Sequence, residues 1–181
     1  MGLYVIDLET TGIYGYPRDK ILELALVRIN DDLSKELILD TLVSHPERYR
    51  TFIDNCWWSG LSDVKFDDLS NSPSMEEIWI NLKSILRGER LTSWNVAFDL
   101  SKFIAKMEKR YGKIGYMKER CPMWASGRHM KSIFGRVKPP KLEEAANFYQ
   151  IHRSEEDYHR ARFDTLLAAD VIIEMIKRGH Y

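Results

Sequence analysis

The sequence predicts an α/β fold: a mixed five-stranded sheet, in which a three-stranded antiparallel meander is followed by parallel strands, flanked by helices. Three observations predict it. Apolar runs with β-branched members occupy 3–9, 21–30 and 36–43 and are separated by turn-forming residues. Apolar positions then recur at helical spacing over 73–86 and 98–111, with the strand-like RLTSWN (90–95) between them. The last part of the chain is mostly helical and closes on an amphipathic 165–177.

LYVIDLE (3–9) is ended by Thr10, Thr11 and Gly12, so it reads as a buried strand entering a turn. ILELALVRIN (21–30) follows the Gly15–Asp19 loop, and Asn30, Asp31 and Asp32 turn the chain into ELILDTLV (36–43). From Ser44 to Pro73 no periodicity survives, which predicts a long irregular connection containing Trp57, Trp58 and Gly60. The two tryptophans read as core beneath this connection in preference to a binding surface, since tryptophan is mostly buried. The helix over 73–86 has Ser72 as its N-cap candidate and Gly88 as its stop, and Gly112 ends the helix over 98–111. A short strand at 116–121 and helices at 124–134 and 141–149 precede the closing helix. With no internal repeat or low-complexity linker, residues 1–181 read as one domain of a size that buries a substantial core. This order of elements suits the ribonuclease H-like architecture, which fixes no activity by itself.

Cys56 and Cys121 stand far apart with no CxxC, so neither a disulfide framework nor a zinc ribbon is indicated. MGLYVIDLETTG lacks the basic and apolar regions of a signal peptide, and Ile6 breaks the myristoylation pattern. No stretch reaches the roughly 18 apolar residues of a membrane span. A soluble, cytoplasmic protein without a membrane partner is expected. The net charge is zero, yet between Lys102 and Lys141 twelve Lys and Arg face only Glu108 and Glu119, a local excess of ten. Such a block can track a phosphate backbone, although basic residues on helices also serve as solvated faces.

Asp7 and Glu9 are two apart on the first strand, so both leave the same face. Paired carboxylates at the end of a buried strand repel each other unless a cation lies between them, and hard oxygen ligands suit magnesium or manganese. The same spacing also occurs on exposed strand ends. Asp99 falls in the first turn of a helix, where an acid also serves the helix dipole, but Trp94, Asn95 and Phe98 bring stacking and hydrogen-bonding groups to the same strand end. In DYHRARFDT (157–165), Asp164 stands at the start of the last helix and His159 five residues before it. An imidazole titrating near neutrality is a credible base for water. His45, His129, His152 and His180 read as ordinary surface groups.

With VIDLETTG (5–12), WNVAFDLSKF (94–103) and HRARFDTLLAADVI (159–172) in this order, the sequence resembles the DEDD exonuclease superfamily, and within it the histidine subgroup, the DnaQ-like or DEDDh 3′-5′ exonucleases. The third stretch carries the subgroup's H-x-A-x-x-D with Ala161, and Arg160 stands where the tyrosine subgroup would have Tyr. Trp94 replaces the His that many members place before Asn95. The resemblance covers essentially the whole chain. It implies that Asp7, Glu9, Asp99 and Asp164 hold two divalent cations, Mg2+ or Mn2+, that His159 is the general base, and that nucleoside 5′-monophosphates leave single-stranded or frayed DNA 3′ ends. It also implies that Thr10, Thr11, Trp94, Asn95 and Phe98 contact the terminal nucleotide. The motifs leave open RNA trimming of the RNase T or oligoribonuclease kind, and association with a polymerase or replication partner. A non-catalytic polymerase-associated subunit would have lost a carboxylate or the histidine, and none is lost here.

Overall fold

A computed structural model describes residues 2–62, 64–152 and 160–181. The five strands are β1 (Leu3–Thr10), β2 (Ile21–Ile29), β3 (Lys35–Leu42), β4 (Arg90–Thr92) and β5 (Met117–Lys118), in the sheet order β3-β2-β1-β4-β5. β1, β2 and β3 pair antiparallel, and β4 and β5 add in parallel. This is the predicted mixed sheet.

The side-chain alternation of β1 divides the core between two faces. Tyr4, Ile6 and Leu8 face one core with α4 (Met75–Leu86) and the helix after β4, while Leu3 and Val5 face another with α8 (Leu142–Phe148) and α9 (Ala161–Lys177). Asp7 and Glu9 continue the second set. β4 pairs with β1 only through Leu3, Tyr4 and Val5, so β1 outruns its parallel neighbour and carries both carboxylates past the end of β4. The predicted strand over 90–95 is correspondingly shorter, and Ser93, Trp94 and Asn95 turn into the helix instead of pairing.

The stretch from 44 to 73 differs most from expectation. It is not irregular but folds into a 3-10 turn and three short helices, α1 (Arg50–Asp54), α2 (Trp57–Leu61) and α3 (Phe66–Leu69). Ile53, Trp58, Phe66 and Leu69 bury themselves against Leu22 of β2 as a small core of their own. Helices of one turn present too few residues for a period to be read. The ends of this excursion are fastened together by the Ser44 N–H, which donates to the Pro73 carbonyl at 3.0 Å.

α4 is capped by Ser74 and not by Ser72. The Ser74 hydroxyl accepts from the Glu77 N–H, and Glu77 accepts from the Ser74 N–H, a reciprocal capping box. After β4 the chain winds as a π-helix over Ala97–Ile104, visible in the Ser101 N–H donating to the Val96 carbonyl five residues back, and tightens into α5 (Ala105–Tyr111). The expected helix over 124–134 is two helices, α6 (Pro122–His129) and α7 (Lys131–Phe134), broken at Met130. α9 begins at Ala161, one turn earlier than the amphipathic pattern alone indicates. Among the described residues no helix is long and apolar enough to cross a membrane.

Trp58 is fully buried in the small cluster. Trp58→Ala should lower unfolding stability by about 3–5 kcal/mol in a denaturant titration, and a loss below about 1 kcal/mol would show that the short helices close over the gap.

Candidate active site

The end of β1 forms the floor of a cleft of about 440 Å³. Asp7, Glu9 and Thr10 enter it from β1, Trp94, Asn95, Phe98 and Asp99 from the turn and π-helix after β4, and Asp164 from the first turn of α9. Carboxylate oxygens of Asp7, Glu9 and Asp164 all lie within 4.8 Å of one another. Asp99 lines the same cleft outside that group and is almost fully buried, at 3% exposure. Eight of the ten residues singled out in the sequence therefore converge on one cleft. His159 lies outside the described residues. Thr11 does not line the cleft; its N–H donates to the Lys20 carbonyl and its hydroxyl accepts from the Lys20 N–H, each at 3.0 Å.

Each side chain is placed by a local device. The register of β1 against β2 sets Asp7 opposite Ala25 and Glu9 opposite Glu23. The Asn95 side-chain oxygen accepts the Phe98 N–H at 3.3 Å and its carbonyl accepts the Asp99 N–H at 3.1 Å, which caps the turn that presents both residues. Phe98 rests edge-on against Phe103, with ring centroids 5.2 Å apart. The loop beyond Thr10 is pinned by buried Asp19, which accepts the N–H groups of Tyr14 and Gly15. Gly15 has φ +89°, and a Cβ there would approach the Lys102 carbonyl to 2.7 Å, so a glycine is required.

The crowding shows in the proton affinities. Burial, followed by the charges of Asp99, Glu9, Asp164 and Glu23, pushes the Asp7 carboxyl well above the usual carboxylate range. Burial and then Asp164, Glu23 and Asp99 raise Glu9 to about 8, and burial raises Asp99 to about 7. Without a countercharge these groups cannot all be ionised at neutral pH. Among the described residues the donors at close range are carboxylate oxygens, a set that fits a hard divalent cation such as magnesium or manganese.

Sequence reasoning missed several contributors, among them Lys141, Leu142 and Glu143 at the start of α8, which line the cleft. Trp57, expected in the core, is 47% exposed and forms part of the cleft wall, while its neighbour Trp58 takes the core position. Glu23 is fully buried opposite Glu9 on β2. Its carboxylate accepts from Arg160 Nε at 3.0 and 3.1 Å and from the Ala161 N–H at 3.2 Å, which fastens the start of α9 to the sheet. Ala161 is itself fully buried, so a small residue is needed at this point of the motif. An acid in the middle of the apolar run ILELALV was the available signal for Glu23.

Known proteins share both sequence and fold with this chain. Residues 4–172 match the RNase_T family model, described as exonuclease. DNA polymerase III PolC-type of Staphylococcus saprophyticus subsp. saprophyticus is 27% identical over 176 residues, covering 96% of this chain. The chain spans 11% of the length of the PolC-type relatives it matches. The nuclease domain of 3′hExo, a DEDDh family member bound to rAMP, superposes with a TM-score of 0.65 at 14% identity, covering 98% of this chain and 92% of that one. E. coli Exonuclease I in complex with a dA16 oligonucleotide gives a TM-score of 0.71 at 11% identity, covering 97% and 41%. These structural likenesses show that the chain shares the fold of these two proteins.

The folded protein holds protons on Glu9 that an unfolded chain releases near 4.5, so stability in chelator should fall as pH rises from 4.5 to about 8. Thermal melts across that range should show the decline, and millimolar Mg2+ or Mn2+ should reverse it at the upper end; a flat metal-free profile would remove the crowding. Glu23→Ala leaves Arg160 and the Ala161 N–H without their buried acceptor. It should cost about 3 kcal/mol in denaturant unfolding, and a cost below about 0.5 kcal/mol would mean that solvent replaces the carboxylate.

Proposed function

The chain belongs to the RNase_T exonuclease family of hydrolytic nucleases, and on that footing we propose that residues 1–181 form one exonuclease domain that removes nucleotides from single-stranded or frayed DNA 3′ ends as nucleoside 5′-monophosphates. The observation that carries this reading is the convergence of Asp7, Glu9 and Asp164 oxygens within 4.8 Å on the floor of a cleft that also has aromatic walls. Asp7, Glu9, Asp99 and Asp164 would hold two divalent cations, Mg2+ or Mn2+, whose chemistry when bound would be to supply positive charge to the scissile phosphate and the leaving oxygen.

The rest of the chemistry belongs to the chain's own groups. His159 takes the proton of the attacking water as its oxygen bonds to the terminal phosphorus. The bond from phosphorus to the 3′ oxygen of the preceding nucleotide breaks, and that oxygen gains a proton to become the new 3′ hydroxyl. Phe98 offers a ring face to the terminal base, a contact that tolerates any sequence, and Trp94, Asn95 and Thr10 border the same nucleotide. Thr11 acts through Lys20, holding the loop next to Thr10 in place. Glu23 and Arg160 fasten the chain directly after His159.

The PolC-type relatives favour DNA and a polymerase or replication partner. Failure to co-migrate with a replicative polymerase in gel filtration would remove that partner. A second reading, trimming of RNA 3′ ends, is favoured by rAMP in the related nuclease domain. A digestion series with 5′-labelled single-stranded DNA, duplex DNA and RNA, in magnesium, manganese and chelator, tests both. A ladder shortening from the 3′ end is expected in metal only, and the relative rates choose the sugar. His159→Ala should lower turnover about 10²-fold with the melting temperature unchanged, and near-normal turnover would take the base role from His159. Asp7→Ala should abolish metal-dependent cleavage, and persistent cleavage would place the site elsewhere.

A further inference from the structure

A second cleft, of about 280 Å³, opens beside the first, and its lining includes Tyr16, Lys20, Arg48, Tyr49, Arg110 and Tyr111. The two adjoin through the turn after β1: Thr10 lines the first, Lys20 lines the second, and Thr11 is hydrogen-bonded to Lys20 in both directions. The cleft combines cations with aromatic rings. Lys20 and Arg48 lie 4.9 and 5.0 Å from the Tyr49 ring centroid, and Arg110 lies 5.2 Å from that of Tyr111 while donating to the Tyr16 hydroxyl at 2.9 Å. Among the described residues no carboxylate is within ion-pair range of these three cations. Arg50 nearby is different, being paired with Glu47 and Asp67. Glu76 is the only acid among the described lining residues. His45 also borders the cleft, its Nε2–H donating to the Ile21 carbonyl at 2.7 Å, and burial lowers its proton affinity so that it adds no charge.

The positive surface extends from this cleft in two directions. Lys106 and Lys109 continue it along α5 beside Tyr16 and Pro17. Lys102, one turn beyond Phe98, donates to the Ile13 carbonyl at 2.9 Å and accepts the Tyr16 N–H on its own carbonyl at 3.2 Å. Cations thus run from the aromatic wall of the first cleft to the second. Unneutralised cations held against aromatic rings fit a chain of phosphates and bases better than either feature alone.

We propose that this second cleft is a nucleotide subsite, which holds an internal nucleotide of a bound single strand on the 5′ side of the bond being cut. The inference deepens the proposed function and rests on it for the position of the strand's 3′ end. It gives the basic block between Lys102 and Lys141 a role for part of its length, because Lys106, Lys109 and Arg110 border the cleft system while Arg120 lies over Tyr181 near the C-terminus.

The test is anisotropy of labelled single-stranded DNA in chelator, which prevents cutting, with the unaltered protein and with Arg48→Ala/Arg110→Ala. Both arginines are exposed, and an unchanged melting temperature of the double variant checks its fold. Affinity for a strand of about ten nucleotides should fall about 10-fold or more, and affinity for a dinucleotide by less than about 2-fold. The log–log salt dependence of long-strand binding should become shallower by about 0.7 per charge removed. Unchanged long-strand affinity, or an equal loss at both lengths, overturns the subsite. Adenosine 5′-monophosphate that binds the unaltered protein through these arginines without competing with the long strand would mark a free-nucleotide site and overturn the strand assignment. If magnesium digestion shows no cleavage while the length-dependent loss persists, the proposed function fails, and the cleft remains a single-strand binding site that loses its assignment to the 5′ side of a cut bond.

Discussion

Mutual repulsion among buried carboxylates is the constraint from which the rest of this molecule follows. Two acids at alternate positions of a central strand would be a defect in an ordinary sheet, because like charges leaving water together favour proton uptake or unfolding. Here the strand outruns its parallel neighbour where the acids begin, and the chain after β4 bends away at Ser93 to bring Asp99 to the same opening. The resulting crevice lies beyond the carboxyl ends of β1 and β4, where the strand order changes direction and helices cannot close over the sheet. Its electrostatic cost is reduced by proton uptake, by Arg160, and by any further positive charge that enters.

A second buried acid has the opposite task. Glu23 adds to the repulsion felt by Asp7 and Glu9, yet it spends its own charge on Arg160 and the first free N–H of α9. Arg160 in turn lowers the proton affinity of both Glu9 and Glu23. The helix that delivers Asp164 is therefore tied to β2 by a contact that also moderates the field at the site, so that placement and electrostatics share the same atoms.

Much of this was legible from residues alone. The three-stranded meander follows from β-branched alternation with intervening turns, and Asp7, Glu9, Asp99 and Asp164 stand in stretches whose order matches a known family. What could not be read has physical reasons. The helices between 50 and 69 are too short to show a period, so their stability comes from packing Trp58 and Ile53 on Leu22, a tertiary fact. The choice between Trp57 and Trp58 as the buried partner depends on the phase of a five-residue helix. The π-helical turn after Val96 obeys no propensity, because it is set by the need to place Asp99 at the cleft while Leu100 and Phe103 remain in the core. Glu23 was passed over because its partners lie far along the chain.

The bond between Ser44 and Pro73 gives this architecture a seam. The excursion it closes starts and ends at one point on the sheet and carries its own small core, yet it contributes Trp57 to the wall of the cleft. Since the free energy of closing a loop grows only slowly with its length, such a segment can lengthen, shorten or change its exposed aromatics without disturbing β1 or the carboxylates. The carboxylate floor and the part of the wall that holds Trp57 are thus separate modules, and that part is free to diversify while the floor stays constant.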